Sequence, residues 1–349
     1  MTETARKWVA AWLFAGCAMV FFQVIVGGVT RLTESGLSIT EWKPVKGIVP
    51  PLNETEWQQE FELYKNITQF KTINQDMALS EFKWIYFWEY FHRFWARFMG
   101  FAFIIPFSFF VWKKWLDKAF FKRIGILFLW GGLIGVYGWI MVRSGLTGMY
   151  VPPIHLSIHL LLALSLFAYL VWLAIYVQNR NKAALYQLSN STKNLTILLT
   201  VLVFIQIVLG GILSGMRAGL AYPTWPLMLG EFFPSALVTE KVSWSGFFQY
   251  NATDFWGRTF IQFTHRITAY SIWVLSVYMV FAEAKKSSWN QLPIGIKSLL
   301  LTVTLQAAIG IITVLNCTGK IPVFWGVAHQ AGAMILLANV SLLWYYRKP

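Results

Sequence analysis

Charged residues are scarce in this chain, and that scarcity excludes an ordinary soluble domain. Only 13% of the 349 residues are charged, whereas 57% are hydrophobic, and the mean hydropathy is +0.53. Long apolar stretches in such a composition are typical of membrane spans. Because these stretches are uninterrupted and too long for barrel strands, the sequence predicts a helical bundle.

Cysteine is rare as well, with two residues in the chain. Cys17 falls within the first apolar stretch and Cys317 at the outer end of the seventh, so we expect no disulfide framework. A cleavable targeting segment is not predicted either. The first apolar stretch begins within about ten residues of Met1 and is too long for the core of a signal peptide.

The apolar stretches predict eight membrane-spanning helices. The predicted spans are Ala10–Val29, Trp84–Trp112, Ile124–Val142, Ile154–Val177, Leu195–Leu213, Thr259–Ala282, Ile294–Leu315 and Val323–Tyr346. If the N-terminus is cytoplasmic, the cytoplasmic segments hold fifteen basic and three acidic residues, and the opposite segments hold ten and eleven. Positive charge accumulates on the cytoplasmic side, so both termini are predicted there. The net charge of +14 therefore indicates topology and a lipid bilayer as partner, not nucleic acid.

The second half of the chain repeats features of the first, which predicts an internal duplication. The matching residues are Gln23, Gly27, Gly28 and Arg31 with Gln206, Gly210, Gly211 and Arg217, His92 and Arg93 with His265 and Arg266, and His159 with His329. Each half has four spans, so both halves enter the membrane in the same direction. The predicted fold is an all-α polytopic membrane protein with eight transmembrane helices, arranged as two parallel four-helix-bundle repeats.

Three segments follow from this division. The N-terminal half is predicted at residues 1–177 and the C-terminal half at 194–349, with an inner linker at 178–193. The first half contains a long outer loop at 31–83. Its mixed charge and its aromatic residues favour folding against the mouth of the bundle over a disordered tether.

Four of the five histidines, His92, His159, His265 and His329, share one depth in the even-numbered spans. Counted from outer borders near Trp84, Pro153, Phe255 and Pro322, each stands six to ten residues inside a span, or roughly 9–15 Å deep. A lone intramembrane histidine usually serves helix packing. Four at one depth, two per repeat, favour axial ligands on opposite faces of a heme, so we pair His92 with His159 and His265 with His329. His155, one turn above His159, is predicted to line only the rim.

Four arginines are candidates for binding heme propionates. Arg93 and Arg266 directly follow histidines, and Arg31 and Arg217 stand at the mouths of the first and fifth spans. The guanidinium group binds carboxylates with two parallel hydrogen bonds, which suits propionates that point outward. For Arg31 and Arg217, an interaction with lipid headgroups is the alternative.

Glu89 distinguishes the two halves, because Gln262 occupies the equivalent place in the second repeat. A carboxylate one turn from His92 in one half only favours chemistry at one site only. There it would accept a proton or stabilise developing positive charge. The structural alternative is an i, i+4 ion pair with Arg93.

Three other interpretations compete with this one. A diheme b-type cytochrome that transfers electrons from quinol needs the same histidines but has no special use for Glu89. A transporter built on a parallel repeat would show helix breaks near the middle of the membrane. A zinc site would need further cysteine or carboxylate ligands, of which these helices offer little.

At this point the sequence resembles the heme A synthase family. The matching stretches are 27–37 (GGVTRLTESGL), 50–53 (PPLN), 88–93 (WEYFHR), 138–142 (GWIMV), 144–146 (SGL), 159–160 (HL), 218–228 (AGLAYPTWPLM), 262–266 (QFTHR) and 329–330 (HQ). They run in order across nearly the whole chain and are specific together.

The resemblance implies an enzyme that oxidises the C8 methyl group of heme O to the formyl group of heme A, by successive hydroxylations and loss of water. It implies that His92 and His159 hold the substrate heme, and that His265 and His329 hold a resident heme b that relays electrons. Glu89 matches the family's proposed catalytic carboxylate. The chain departs from the family in three places. It lacks the cysteine pair that some members have in the first outer loop, and it has His155 where an arginine is expected. It also has Ile134 near the place where the family often has a glutamine.

The topology and the resemblance together predict a location. They favour a bacterial inner, or cytoplasmic, membrane, with the heme sites toward the periplasm. The expected partner is a heme O donor, heme O synthase. The sequence does not identify the electron acceptor.

Overall fold

Eight long apolar helices confirm the predicted membrane spans. The computed structural model describes residues 1–41, 49–180 and 186–347. Parts of the predicted outer loop and inner linker, 42–48 and 181–185, therefore lie outside the described residues. The eight spans and four short helices are, in chain order, α1 (Glu3–Leu32), α2 (Glu54–Lys65), α3 (Thr68–Ile73), α4 (Leu79–Trp112), α5 (Lys118–Gly145), α6 (Pro153–Gln178), α7 (Asn190–Gly215), α8 (Ala236–Thr239), α9 (Ser245–Phe248), α10 (Phe255–Ala284), α11 (Ile294–Leu315) and α12 (Val323–Tyr346). The described residues contain no strand.

Several spans extend beyond the apolar windows predicted for them. Four of these helices begin at a polar cap whose side chain accepts a hydrogen bond from a backbone N–H of the first turn. The caps are Thr2 for α1, Asp117 for α5, Ser189 for α7 and Asp254 for α10. Such caps satisfy N–H groups that have no partner within the helix, so the helices continue into polar sequence that hydropathy alone does not assign to a span.

The helices pack around a central group formed by α1, α6, α7 and α12. Helix α4 packs on α1, α5 on α6, α10 on α7, and α11 on α12. This arrangement is compatible with the two parallel repeats that the sequence predicts. One difference breaks the likeness between the halves. Helix α10 packs along α11, whereas the backbones of α4 and α5 stay farther apart and the two helices meet through aromatic side chains near the loop that joins them.

The first outer loop folds against the start of α4, as its aromatic content predicts. Phe61 and Tyr64 of α2 pack with Leu37, Phe82 and Tyr86 in a buried apolar cluster. This cluster fixes the chain that follows α1 over the mouth of the bundle. Cys17 and Cys317 are both free and buried.

Candidate heme-binding cavity

A cavity of about 2120 Å³ lies among the spans, and residues from all eight of them line it. His92, His159, His265 and His329 all belong to its wall. So does the carboxylate-bearing Glu89. The structure therefore brings together the residues that the sequence selects, although they are distributed over most of the chain.

Three of the four histidines are held by a glutamine on the preceding span. Gln23 Nε2 donates to the backbone oxygen of His92 at 3.1 Å and lies 3.3 Å from the imidazole Nε2. Gln206 makes the same pair of contacts with His265, both at 3.1 Å. The amide therefore fixes the helix that carries the imidazole and lies beside the ring itself.

The fourth span pair of the chain shows the same arrangement, which the sequence analysis missed. Gln306 Nε2 donates to the backbone oxygen of His329 at 3.0 Å and lies 3.2 Å from Nδ1. A glycine four residues after the glutamine faces the ring edge, and a Cβ added at Gly310 would lie 2.7 Å from Cε1 of His329. The spacing Q-x-x-x-G occurs at 23–27, 206–210 and 306–310, and this pattern could have revealed the glutamine contact to His329.

His159 lacks this amide. Gly138 faces its ring, with an added Cβ 3.2 Å from Cε1, but the residue four positions earlier is Ile134. Nδ1 of His159 is buried and has no hydrogen-bond partner. The departure at Ile134 thus removes the glutamine contact from one histidine of the four.

The two imidazoles of the second half face one another. The ring centroids of His265 and His329 are 6.5 Å apart, with 64° between the ring planes. Two imidazoles bound to one iron through nitrogens about 2 Å from the metal would place their centroids roughly 6 Å apart. Nδ1 of His265 is buried without a partner, as is Nδ1 of His92. Buried, unpartnered nitrogens beside glycines fit a flat ligand that enters between the histidines.

Glu89 is 2% exposed and has a partner for each oxygen. Oε1 accepts from Arg93 at 2.5 Å, and Oε2 accepts from Ser38 Oγ and from the backbone N–H of Ile39, both at 2.8 Å. Arg93 also donates to the backbone oxygen of Ile39 at 3.0 Å. The i, i+4 pair considered as an alternative is therefore present, and it ties α4 to the chain that follows α1.

The corresponding residues of the second half hold a loop in the same way, without a carboxylate. Gln262 Nε2 donates to the backbone oxygen of Tyr222 at 2.9 Å. Arg266 donates to the backbone oxygens of Tyr222 at 3.2 Å and Thr224 at 2.7 Å. Glu89 can accept a proton, whereas the amide of Gln262 cannot, so the two equivalent positions differ in chemistry more than in packing.

Arg31 and Arg217 join the two halves at the mouth of the cavity. Arg31 Nη2 donates to the backbone oxygen of Ser214 at 2.7 Å, and Arg217 Nη1 pairs with Glu34 at 2.5 Å. Burial alone would lower the pKa of Arg217, but the hydrogen bond and negative charge of Glu34 raise it above its usual value. Both guanidinium groups line the cavity, as do those of Arg93 and Arg266.

Two further side chains refine the sequence-based assignment. His155 Nδ1 lies 2.8 Å from the hydroxyl of Tyr137, and His155 is outside the cavity lining. Arg97, one turn beyond Arg93, does line the cavity, and its Nη1 is buried without a hydrogen-bond partner. The sequence analysis did not select Arg97, although an arginine this deep in a span is an uncommon feature.

Fold and cavity together define a polytopic helical membrane protein with paired histidines facing one internal space. The family model described as cytochrome oxidase assembly protein matches residues 10–341. Relatives named heme A synthase include those of Parvibaculum lavamentivorans, 42% identical over 96% of this chain and 93% of the relative, and Flavobacterium psychrophilum, 39% identical over 96% and 97%. That of Bradyrhizobium diazoefficiens is 42% identical over 95% and 89%. The chain belongs to this heme A synthase family.

Proposed function

We propose that this protein is a heme A synthase, which oxidises the C8 methyl group of heme O to the formyl group of heme A in the membrane. The observation that carries the proposal is the cavity, in which both histidine pairs occur but a buried carboxylate stands beside one pair only. The printed names of relatives aligned over nearly the whole chain support the same activity.

The two pairs have different tasks in this proposal. His92 and His159 hold the substrate heme, and His265 and His329 hold a resident heme b. The distance of 6.5 Å between the rings of His265 and His329 supports a ligand bound between them. Heme b, when bound, supplies a one-electron relay. The separation of tasks agrees with a carboxylate at position 89 and an amide at position 262.

Glu89 and the arginines act on the substrate from the outer side. Glu89 lies one turn outward of His92, where it accepts a proton or stabilises positive charge that develops on the substrate. Because Ser38 and Ile39 donate to Oε2 while Arg93 occupies Oε1, the carboxylate is held in one orientation before substrate arrives. Arg31, Arg93, Arg217 and Arg266 supply positive charge around the cavity for propionates.

The surroundings proposed for the enzyme follow from the distribution of charge. The protein lies in a bacterial inner membrane with both termini in the cytoplasm and its heme sites toward the periplasm. Heme O synthase is the proposed donor of the substrate. The proposed division of the chain stays at residues 1–177 and 194–349, joined by the linker 178–193.

The test compares Glu89→Ala with Gln262→Ala after expression together with a heme O supply. Hemes extracted from the purified proteins are separated by chromatography and counted per chain. We expect heme A in the wild type and in Gln262→Ala, and its loss in Glu89→Ala with heme b retained. If none of the three proteins yields heme A while two hemes b are bound per chain, the diheme cytochrome that transfers electrons from quinol is the better assignment.

A further inference from the structure

The wall of the cavity differs between the two halves on the cytoplasmic side of the histidines. Aligning the sequences of the two halves on His92 and His265 matches Gly100 with Trp273, because each follows its histidine by eight residues. Matching Gly138 with Gly310 likewise places Gly132 at the position of Thr304. All four wall positions, Gly100, Gly132, Trp273 and Thr304, line the cavity.

In the second half a hydrogen bond bridges these positions. Trp273 Nε1 of α10 donates to Thr304 Oγ1 of α11 at 3.1 Å. The indole and this hydrogen bond connect the two helices across the cavity. The space between α10 and α11 is therefore bridged at this level by the two side chains.

In the first half the same positions leave a gap between α4 and α5. A Cβ added at Gly100 or Gly132 would meet no atom within 4 Å. Both glycines are exposed, although both line the cavity. Gly131 and Gly135 of α5 share these properties. The cavity therefore reaches the surface of the bundle here.

The gap has a defined inner boundary. The rings of Phe103 and Phe128 pack 5.0 Å apart, one turn deeper than the glycines. Gly100 lies eight residues along α4 from His92, or about 12 Å of helix. The opening thus extends from the level of the histidines down to this aromatic contact, and we call it the α4–α5 slot.

We propose that the α4–α5 slot holds the isoprenoid tail of the substrate heme. This inference rests on the proposed function and names the part of the substrate that the first half must accommodate. Heme O carries a long isoprenoid tail where heme b carries a vinyl group. At this level the half with Glu89 has open space beside two glycines. In the half assigned to tail-free heme b, the indole of Trp273 and the hydroxyl of Thr304 span the equivalent positions.

The tail is a better occupant than an acyl chain of the bilayer. The slot opens at the depth of the acyl chains, so a lipid chain can reach it from the bilayer, but a tail attached to a porphyrin between His92 and His159 begins at the histidines and continues into the slot. The slot also lies on the inner side of these histidines, opposite to Glu89 and Arg93. Propionates and tail would then leave the ring in opposite directions, each into surroundings of matching polarity.

The experiment introduces the tryptophan and threonine of the second half at the equivalent positions of the first, as Gly100→Trp combined with Gly132→Thr. The purified protein, carrying its heme b, is titrated with heme O and separately with heme b, and binding of one further equivalent is followed by absorbance. We expect the affinity for heme O to fall at least tenfold and the affinity for heme b at this site to change less than twofold. Gly125→Trp is the matched control, since Gly125 also has no atom within 4 Å of an added Cβ but lies outside the cavity lining.

A milder variant, Gly132→Val, protects the test against a folding failure and should weaken heme O binding severalfold. Unchanged heme O affinity in both variants would overturn the proposal, as it is the result expected for a lipid chain in the slot. Equal weakening for heme O and heme b would overturn it too, because the slot would then hold the porphyrin ring. Wild-type protein that binds heme O more tightly than heme b but forms no heme A would refute the proposed function and leave the slot assignment standing.

Discussion

Replacing Gln306 by isoleucine would give His329 the surroundings that His159 has naturally. The change removes the hydrogen bond of 3.0 Å from the amide to the backbone oxygen of His329, together with the approach to Nδ1 at 3.2 Å. A hydrogen bond of this kind contributes about 1 kcal/mol net. Oε1 of Gln306 is buried without a partner, so the substitution also removes one unsatisfied acceptor.

The expected consequence is a faster loss of heme from the C-terminal pair. A difference of about 1 kcal/mol corresponds to roughly a fivefold change in an equilibrium or rate constant. The assay mixes the purified protein with an excess of a heme-scavenging apoprotein and follows the transfer of heme b by absorbance. Ile134→Gln is the reciprocal variant, and we expect it to slow the loss of heme from the His92 and His159 pair by about the same factor.

A control separates this effect from general destabilisation. Gln69 accepts a hydrogen bond from the hydroxyl of Tyr64 at 3.0 Å in the buried outer cluster and lies outside the cavity lining. Gln69→Ile therefore removes a comparable contact far from the histidines and should leave heme transfer unchanged. The reasoning is refuted if Gln306→Ile releases heme at the wild-type rate, or if Gln69→Ile accelerates release equally.

Three further outcomes concern the contact between the halves and one thiol. Gly215→Ala should lower the melting temperature by a few degrees, because an added Cβ would lie 2.5 Å from the backbone of α6, whereas Gly125→Ala should not. Glu34→Gln breaks the partly buried pair with Arg217, and a thermal melt should show a loss of about 1 kcal/mol. Burial raises the pKa of Cys317 to about 11, so its alkylation, followed by mass spectrometry, should be slow at pH 8 and rise about tenfold per pH unit up to the pKa.

The sequence predicted the spans, and it singled out residues that the structure brings to the cavity. Both were possible because they depend on features that are local in the chain. Apolar length identifies a span, and an ionisable residue within a span is conspicuous by its cost. The same reasoning identified Glu89 from its replacement by Gln262. It could not give the bonding of Glu89, since the backbone N–H of Ile39 and the hydroxyl of Ser38 reach it from a loop 50 and 51 residues away.

Contacts between the halves were beyond the reach of the sequence. Arg31 and Arg217 were predicted as propionate ligands or headgroup contacts, and each in fact has a partner 183 residues away, Ser214 and Glu34. Neither partner is marked by any local pattern. The contact between Gln306 and His329 was missed for another reason. Comparing one half with the other matches Gln23 with Gln206, but it does not compare successive pairs of spans within one half.

The differences between the halves all point in one direction. An enzyme must release its product, whereas a resident cofactor has to stay, so the two sites need different rates of loss. His159 in the first half lacks the amide contact that Gln306 makes to His329 in the second, because Ile134 stands in the equivalent place. The first half also has open space at Gly100 and Gly132, where Trp273 and Thr304 of the second half form a hydrogen bond. We expect each difference to lower the retention of heme in the half that also carries Glu89. If His92 and His159 hold the substrate, as we propose, exchange and chemistry belong to the same half. This is an argument for that assignment that does not depend on the carboxylate.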